Sequence, residues 1–243
     1  MIQAMILAAG RGERMRPLTD TLPKPLLCVG GKPLIVWHIE RLASVGITDI
    51  VINHAWLGHK IEETLGNGQQ FGVAIEYSAE SPKGLETAGG IANALPLLGE
   101  QPFLVINGDI WCDWNPMQAV TIVDHLHNAS TQAWLLMVDN PPHHPEGDFH
   151  LDAQGLLHGK IPTAINHTFA GIGVYHPSFF RGVKPQQPQP LAPLLRLAMQ
   201  NRLVEGSLHA GQWIDVGTPE RLALLDQQLQ CNGNVPASFI QPQ

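Results

Sequence analysis

Short apolar runs alternate with longer stretches of helical periodicity along the chain, and this alternation restricts the possible folds more than any other feature. The runs are rich in Val, Ile and Leu, which is typical of strands buried on both faces of a sheet. They read AMILA at 4–8, DIVIN at 49–53, VAIEYS at 73–78, FLVIN at 103–107 and AWLLMV at 133–138. Because helical stretches separate them, the strands can pair in parallel through crossover connections. The sequence therefore predicts an α/β fold with a mostly parallel central sheet.

Helix boundary signals support this reading. The first predicted helix begins at Pro33 and stops at Gly46, and the last has Thr218 as its N-cap with Pro219 at its first position. The predicted helices cover 33–46, 57–66, 87–98, 191–201 and 218–230.

The alternation of apolar runs and helical stretches stops after Asp139. A loop leads into a short strand, a turn at Gln154 and Gly155, and a second short strand, which predicts a β insertion. Residues 181–190 form a Pro- and Gln-rich linker, and QWIDVG at 212–217 is the last predicted strand.

Composition excludes several classes of protein. The chain has 243 residues, 44% of them hydrophobic, which is enough for a full core. Its net charge of −7 argues against nucleic acid as a partner. The three cysteines, Cys28, Cys112 and Cys231, are too widely spaced for a disulfide framework or a CxxC metal site, so we expect a reducing cytoplasm. We expect no membrane association, because the apolar opening segment is too short to span a bilayer and its arginines follow it.

The first strand leads directly into a loop of glycines and arginines, LAAGRGERMRPLT at 7–19. A glycine-rich turn after a strand can direct backbone N–H groups at a phosphate. The loop is not a P-loop, since no Gly-Lys-Ser/Thr follows, and Met15 stands where the dinucleotide fingerprint has its third glycine. Lys24 follows between two prolines, which restrict its backbone. This combination predicts a local anion site in an acidic protein.

Two aspartates stand at the ends of predicted strands. Asp109 follows FLVIN, and Asp215 follows the apolar pair of the last strand. Ligands of open α/β sheets bind at the carboxyl ends of strands, and Mg²⁺ takes one or two carboxylates together with substrate phosphates. Each aspartate alone could equally form an Asx turn or cap a helix. Together with the glycine-arginine loop, they favour a shared Mg²⁺ site.

Three motifs in order carry a family resemblance: LAAGRGERMRPLTDTLPKPLL from residue 7, NGD at 107–109, and WIDVGTPERL from residue 213. This set resembles the sugar-1-phosphate nucleotidyltransferases. The resemblance implies a single Rossmann-like, GT-A-like domain over residues 1–230, with a nucleotide-binding half (1–110), a sugar-binding half (111–230) and a C-terminal tail (231–243).

The resemblance also implies roles in the loop. Arg14 would contact the β and γ phosphates, and Lys24 would lie by the reacting phosphates. Glu13 replaces the usual Thr or Ser, so we expect its backbone N–H to contact the nucleotide while its carboxylate points away or meets Arg11 or Arg16. The implied catalytic residues are Arg14, Lys24 and Asp109, the implied metal ligands are Asp109 and Asp215, and the loop residues implied to hold the nucleotide are Ala9, Gly10, Gly12, Glu13, Arg14 and Lys24.

The resemblance implies further candidates that would contact the base and the sugar. Thr87 either contacts the base or caps the helix that follows it. The base candidates are Glu80, Leu85, Glu86 and Thr87, with the backbone of Gly89 close by. The sugar candidates are Asn107, Asp139, Asn140, Glu146 and Gly147, the last through its N–H. His143 and His144 lie between prolines without a third ligand at metal spacing, which favours a polar loop.

The expected reaction is attack of a sugar 1-phosphate oxygen on the α-phosphorus of a nucleoside triphosphate, without a covalent enzyme intermediate or a general base. Within the family, the motifs are most similar to the branch that uses UTP and N-acetylmuramate 1-phosphate in peptidoglycan recycling. GTP with mannose 1-phosphate, dTTP with glucose 1-phosphate, and a non-catalytic nucleotide-sugar-binding regulatory subunit are the alternatives. No solenoid repeat is present, so we expect a monomer or small homo-oligomer.

Overall fold

A seven-stranded sheet forms the centre of the computed structural model, in which residues 2–231 are described. The strands, in chain order, are β1 Gln3–Leu7, β2 Cys28–Val29, β3 Lys32–Pro33, β4 Asp49–His54, β5 Ala74–Ala79, β6 Phe103–Asn107, β7 Ile110–Cys112, β8 Ala133–Val138, β9 Phe149–Leu151, β10 Leu157–Gly159, β11 Thr168–Tyr175, β12 Val204–His209 and β13 Trp213–Asp215. The α-helices are α1 Leu34–Ser44, α2 Gly58–Leu65, α3 Glu86–Leu98, α4 Gln118–Asn128, α5 Leu191–Gln200 and α6 Pro219–Cys231.

The central sheet has the strand order β12-β8-β11-β6-β1-β4-β5. Strands β6, β1, β4 and β5 are parallel to one another, as are β12 and β8, whereas β11 runs antiparallel to both of its neighbours. The prediction of a mostly parallel central sheet is confirmed. Strand β11 returns antiparallel because the chain between β8 and β11 carries a hairpin in place of a crossover helix.

The predicted β insertion is confirmed as the antiparallel pair β9 and β10, whose turn places the Gly155 N–H 3.0 Å from the Asp152 carbonyl. The short strands β2, β3 and β7 and helix α4 were not predicted, and neither were two strands of the central sheet, β11 and β12. Gly171 and Gly173 interrupt the apolar run of β11, and β12 is an edge strand whose residues are largely polar. Neither strand shows the continuous apolar run by which buried strands are identified.

Helices cover both faces of the sheet. Apolar side chains of α1, α2 and α4 pack in one core layer, and those of α3 and α5 pack in the layer on the opposite face. This arrangement positions the carboxyl ends of β1, β4 and β6 along one edge, because these three strands are parallel neighbours.

A third cluster joins the two ends of the described chain. Met15 from the glycine-arginine loop and Trp37 from α1 pack with Leu225 and Leu229 of α6. Helix α6 begins as predicted: it starts at Pro219, and the Thr218 hydroxyl accepts a hydrogen bond from the Arg221 N–H at 3.4 Å. The predicted tail at 231–243 lies outside the described residues except for Cys231, which ends α6. Within residues 2–231, no helix combines the length and the apolar character needed to cross a membrane.

Candidate active site

A cleft of about 450 Å³ opens at the carboxyl ends of β1, β4 and β6. Its walls come from the glycine-arginine loop after β1, the turn that precedes α3, and the residues that follow β6. All of the predicted nucleotide-binding residues line this cleft: Ala9, Gly10, Gly12, Glu13, Arg14, Lys24, Glu80, Leu85 and Thr87. Residues far apart in sequence converge here because parallel strands end at the same edge of a sheet.

The two glycines of the loop have different physical reasons to be glycine. Gly12 has a φ of +68°, and a Cβ added there would lie 3.0 Å from Thr19 Cγ2 and 3.3 Å from Lys24 Cβ. A side chain at this position would therefore be strained and crowded. Gly10 has an ordinary backbone conformation, and a Cβ there would meet nothing within 4 Å. Gly10 thus leaves open space in the cleft rather than relieving a clash.

The arginines of the loop divide into structural and free groups. Arg11 donates to the Thr19 carbonyl at 2.8 Å and stacks over the Trp56 ring, with the guanidinium carbon 3.9 Å from the ring centroid. Arg16 donates to Asp20 at 2.7 Å. Arg14 lines the cleft, and within residues 2–231 it makes no hydrogen bond or ion pair. Arg14 is therefore the loop arginine available to an anion.

Glu13 behaves as expected for a carboxylate at the edge of an anion site. Its side chain is exposed, and its oxygens lie 3.8 Å from Arg11 Nε and 3.4 Å from Arg16 Nη1. These two cations offset its charge, so the carboxylate does not oppose an anion in the cleft.

Lys24 and Asp109 form the ion pair of the cleft. The side chain of Lys24 is 8% exposed, and its Nζ lies 2.6 Å from Asp109 Oδ2. A buried ammonium needs a charged partner, because unpaired charges are costly away from water. Asp109 is half-exposed and faces the cleft, so the pair presents both a cation and a carboxylate to a bound molecule.

The backbones at Asp109 and Asp215 are neighbours across an antiparallel strand pair. Asp215 in β13 lies opposite Ile110 in β7, and the Val216 N–H donates to the Asp109 carbonyl at 2.8 Å. The Asp215 carboxylate accepts from Arg221 Nη1 at 2.9 Å, and His143 Nε2 lies 2.9 Å from the same oxygen. Asp109 directly precedes β7 and lines the cleft, whereas Asp215 ends β13 and is not among the described residues that line it. Both side chains are carboxylates, the hard oxygen ligands that suit Mg²⁺.

Asn53 organises the side of the cleft that is formed by the turn before α3. This buried amide accepts from the Ala8 N–H at 2.9 Å and donates to Glu80 Oε1 at 2.6 Å. Glu80 Oε2 in turn accepts from the Leu85 N–H at 2.7 Å. Burial raises the pKa of Glu80, while the hydrogen bonds from Asn53 and Leu85 oppose the rise. Both carboxylate oxygens of Glu80 are thus used to hold the turn that leads into α3.

Helix α3 begins one residue earlier than Thr87. Its N-cap is Leu85 and no side chain caps it, so Thr87 does not cap the helix, and the capping alternative is wrong. Thr87 lies in the first turn and lines the cleft together with Glu86, whose φ is +59°. The Gly89 N–H donates to the Gln189 carbonyl at 3.1 Å, which shows a packing role for its backbone.

The predicted sugar-binding residues divide into two groups. Asn107 lines the cleft at the end of β6. The other four lie on the loop after β8, and none of these described residues lines the cleft: Asp139, Asn140, Glu146 and Gly147.

Asn140 and Gly147 shape that loop. The Asn140 amide donates to the Asn166 carbonyl at 2.8 Å and accepts from the Thr168 hydroxyl at 2.9 Å. Gly147 has a φ of +62°, and a Cβ there would lie 2.7 Å from Asn140 Oδ1.

The remaining members of the loop are exposed. Asp139 is 86% exposed, and Glu146 pairs with Lys160 at 2.5 Å. That hydrogen bond lowers the pKa of Glu146. The Gly147 N–H, expected to bind sugar, lies 3.3 Å from the His144 carbonyl, a weak contact that a ligand can replace.

Sequence reasoning missed Asn53, Lys83 and Gly217 among the residues that line the cleft. A signal for Asn53 was present, because it ends the apolar run DIVIN as Asn107 ends FLVIN. Lys83 lies on the turn closed by the Gly84 N–H and the Ser81 carbonyl, where local sequence indicates only a turn.

Comparison with known proteins places this architecture in a family. The nucleotidyl transferase family matches residues 3–231. The N-acetylmuramate alpha-1-phosphate uridylyltransferase of Neisseria meningitidis serogroup B is 54% identical over 222 residues, which cover 91% of this chain and 95% of that protein. A mannose-1-phosphate guanyltransferase of Schizosaccharomyces pombe is 31% identical, over 90% of this chain and 62% of the relative.

Among solved structures, a putative glucose-1-phosphate thymidylyltransferase from Bacillus anthracis matches with a TM-score of 0.81. The match covers 95% of this chain and 96% of that structure, at 23% sequence identity. At this identity the likeness shows the shared fold alone.

Proposed function

The chain belongs to the nucleotidyl transferase family, and from this membership we propose that it transfers the uridylyl group of UTP to N-acetylmuramate 1-phosphate. The products are the UDP-sugar and pyrophosphate, a reaction that serves peptidoglycan recycling in the cytoplasm. Support for these substrates comes from the similarity to the Neisseria enzyme, which extends over nearly the full length of both proteins.

The observation that carries the proposal is the pairing of Lys24 with Asp109 at 2.6 Å in a cleft whose wall is the glycine-arginine loop. Transfer of a nucleotidyl group needs little covalent chemistry from the protein. It needs cations where phosphoryl oxygens gain negative charge and backbone that can approach phosphates closely. Lys24, Arg14 and the open space at Gly10 meet these needs in one cleft.

In the proposed mechanism, a phosphate oxygen of the sugar 1-phosphate attacks the α-phosphorus of UTP in line, and pyrophosphate leaves. The bond from the α-phosphorus to the new oxygen forms as the bond to the β-phosphate bridge breaks. Because the attacking phosphate is already ionised, no side chain has to accept a proton. Lys24 stabilises the charge at the reacting phosphates, and Arg14 binds the phosphates that leave.

Members of this family use a divalent metal, and we propose Mg²⁺ for this chain, held by Asp109 and Asp215. When bound, the ion polarises phosphoryl oxygens and neutralises the charge of the triphosphate. Lys24 and Arg221 offset the charges of Asp109 and Asp215, which holds the two carboxylates at the junction of β7 and β13.

Recognition of the base is proposed for the turn before α3, where Glu80 and Asn53 fix the backbone from Gly84 to Thr87 against the cleft. Recognition of the sugar is proposed for Asn107 at the mouth of the cleft and for the loop 139–147. We propose a monomer or small homo-oligomer as the active form.

The test is a matrix of nucleoside triphosphates against sugar 1-phosphates with Mg²⁺, read as pyrophosphate release. UTP with N-acetylmuramate 1-phosphate is expected to give the highest kcat/KM. A higher value for GTP with mannose 1-phosphate, or for dTTP with glucose 1-phosphate, would reject the proposed substrates and retain the reaction class. Binding of the UDP-sugar without turnover of any pair would identify a regulatory subunit instead.

A further inference from the structure

Arg221 lies in the first turn of α6, and its guanidinium lies against Gly217, which lines the cleft. Its Nη1 donates to Asp215 Oδ1 at 2.9 Å and also contacts His143 Nε2. Its side chain is 17% exposed, and its Nε is buried without a hydrogen-bond partner among the described residues. Buried donors are nearly always satisfied in folded proteins, so this N–H is expected to have a partner outside the described residues.

A second guanidinium shares this space. A Cβ built on Gly217 would lie 2.2 Å from Arg221 Nη2 and 3.2 Å from Arg14 Nη2, so both groups crowd the same glycine. Gly217 and Arg14 line the cleft. Two positive charges this close repel each other, and Asp215 contacts only one of them among residues 2–231. An anion between the two guanidinium groups would relieve the repulsion.

The geometry of Arg221 selects the kind of anion. Asp215 occupies Nη1, which leaves the edge formed by Nε and Nη2, and that edge matches two oxygens of a phosphate. The location selects the substrate that carries it. His143 belongs to the loop 139–147, on which four of the predicted sugar-binding residues lie, whereas Gly217 and Arg14 belong to the nucleotide cleft. Arg221 therefore stands between the two proposed substrate sites.

We propose that Arg221 binds the phosphate group of the sugar 1-phosphate through its Nε and Nη2 edge, beside Arg14. This inference rests on the proposed function, because it assigns the second substrate of that reaction. It gives Arg221 direct contact with substrate, in addition to its ion pair with Asp215. The competing explanation is that Arg221 serves only to position Asp215.

Arg221→Lys separates these explanations. Lysine keeps a positive charge beside Asp215 but lacks the two-nitrogen edge. We expect the KM for the sugar 1-phosphate to rise about tenfold or more, the size of effect of a lost charged hydrogen bond. The KM for UTP and the Mg²⁺ concentration for half-maximal rate are expected to stay within about threefold. Arg196→Lys is the matched control, because Arg196 is an exposed arginine on α5 that does not line the cleft. It should change none of these values.

Three results would overturn the proposal: an unchanged KM for the sugar 1-phosphate, an increase confined to the KM for UTP, or an increase confined to the Mg²⁺ requirement. The last would assign Arg221 to positioning Asp215. Wild-type turnover, measured in the same assay, tests the proposed function separately.

If the wild-type protein turns over no pair, the anion site still has its own readout. Calorimetric titration with inorganic phosphate should then show weaker binding to Arg221→Gln than to the wild type by about tenfold. Equal affinities would overturn the site.

Discussion

At the residue scale, the cleft depends on a few charged side chains that other residue types cannot replace. Lys24 is buried against Asp109. Among residues 2–231 Arg14 has no hydrogen-bond or ion-pair partner, whereas Arg11 and Arg16 are bonded within the loop. The glycine-arginine loop therefore uses two arginines for its own structure and leaves Arg14 in the cleft lining, where we propose that it binds the triphosphate.

Asp109→Asn is expected to lower kcat by at least about a hundredfold, since it removes a charge proposed to act on the transition state. The asparagine oxygen still accepts a hydrogen bond from Lys24, but the buried ammonium loses its charged partner, so some loss of stability is expected and kcat is measured well below the unfolding temperature. Pyrophosphate release measures the activity, and thermal unfolding measures the fold. Near-normal Mg²⁺-dependent turnover would show that Asp109 is not catalytic.

Gly12→Ala and Gly10→Ala are expected to fail in different ways. Alanine at position 12 meets a φ of +68° and the Thr19 and Lys24 side chains, so it should cost about 1–2 kcal/mol of stability. Alanine at position 10 has open space, so its stability should be unchanged while its methyl group raises the KM for UTP. Urea unfolding and steady-state kinetics distinguish the two variants, and equal stability losses would contradict the assignment.

His38 is expected to make the stability of the fold depend on pH. Burial lowers the pKa of His38 to about 4, and its Nε2 donates to the Ile110 carbonyl at 2.8 Å. The unfolded chain takes up this proton near the ordinary value of 6.5, so the contribution to stability is complete above that pH. It is lost as the pH falls from about 6.5 to about 4.

Between pH 7.5 and pH 5, this linkage amounts to about 2 kcal/mol. His38→Gln keeps a donor for Ile110 without a titrating group. Urea unfolding at both pH values should show a loss about 2 kcal/mol smaller in the variant than in the wild type. Equal losses in the two proteins would show that His38 is protonated in the fold.

At the scale of elements, the ends of β1, β4 and β5 are tied together by side chains rather than by the ladder alone. Asn53 at the end of β4 connects the Ala8 N–H to Glu80. Gly90 in α3 leaves room for this contact, because a Cβ there would lie 2.5 Å from Glu80 Oε1 and 2.8 Å from Asn53 Nδ2. The position of α3 against the sheet, and so of the turn that lines the cleft, depends on this polar contact.

Asn53→Asp places a second carboxylate against Glu80 and removes the donor. We expect a loss of about 2–4 kcal/mol at pH 7.5 relative to the wild type, from the broken hydrogen bond and from charge repulsion. Two adjacent carboxylates raise the pKa of one of them, so the loss should shrink as the pH falls toward 5. Asn93→Asp, which faces the Ser78 hydroxyl, is the control. Urea unfolding measures the stability of each variant relative to the wild type at both pH values. A stability loss in Asn53→Asp that does not change with pH would exclude the charge repulsion.

At the scale of the whole molecule, the last described helix, α6, packs against the glycine-arginine loop that follows the first strand. Helix α6 places Arg221 against Gly217, which lines the cleft, and buries Leu225 and Leu229 against Met15 of the loop and Trp37 of α1. The Gly30 N–H donates to Asp226 at 2.7 Å, which fixes α6 on the β2–β3 hairpin. The N-terminal loop is therefore stabilised by the C-terminal helix.

Leu225→Ala and Leu224→Ala test this closure on the same helix. Leu225 is 1% exposed, and its truncation should cost about 2–4 kcal/mol. Leu224 is 49% exposed, and its truncation should cost under about 1 kcal/mol. Urea unfolding compares the two, and similar losses would show that α6 does not pack on the loop.

The sequence by itself determined the α/β class, the parallel strands and the glycine-arginine loop, and it singled out Lys24 and Asp109. These features depend on local periodicity and on motifs of neighbouring residues. It did not reveal β11 and β12, which lack a continuous apolar run.

Only the tertiary structure decided which arginine stays free, that Asn53 connects two strands, and that Arg221 and Arg14 meet at Gly217. Each of these depends on contacts between residues distant in the chain, and such contacts follow from strand order and helix packing rather than from local pattern.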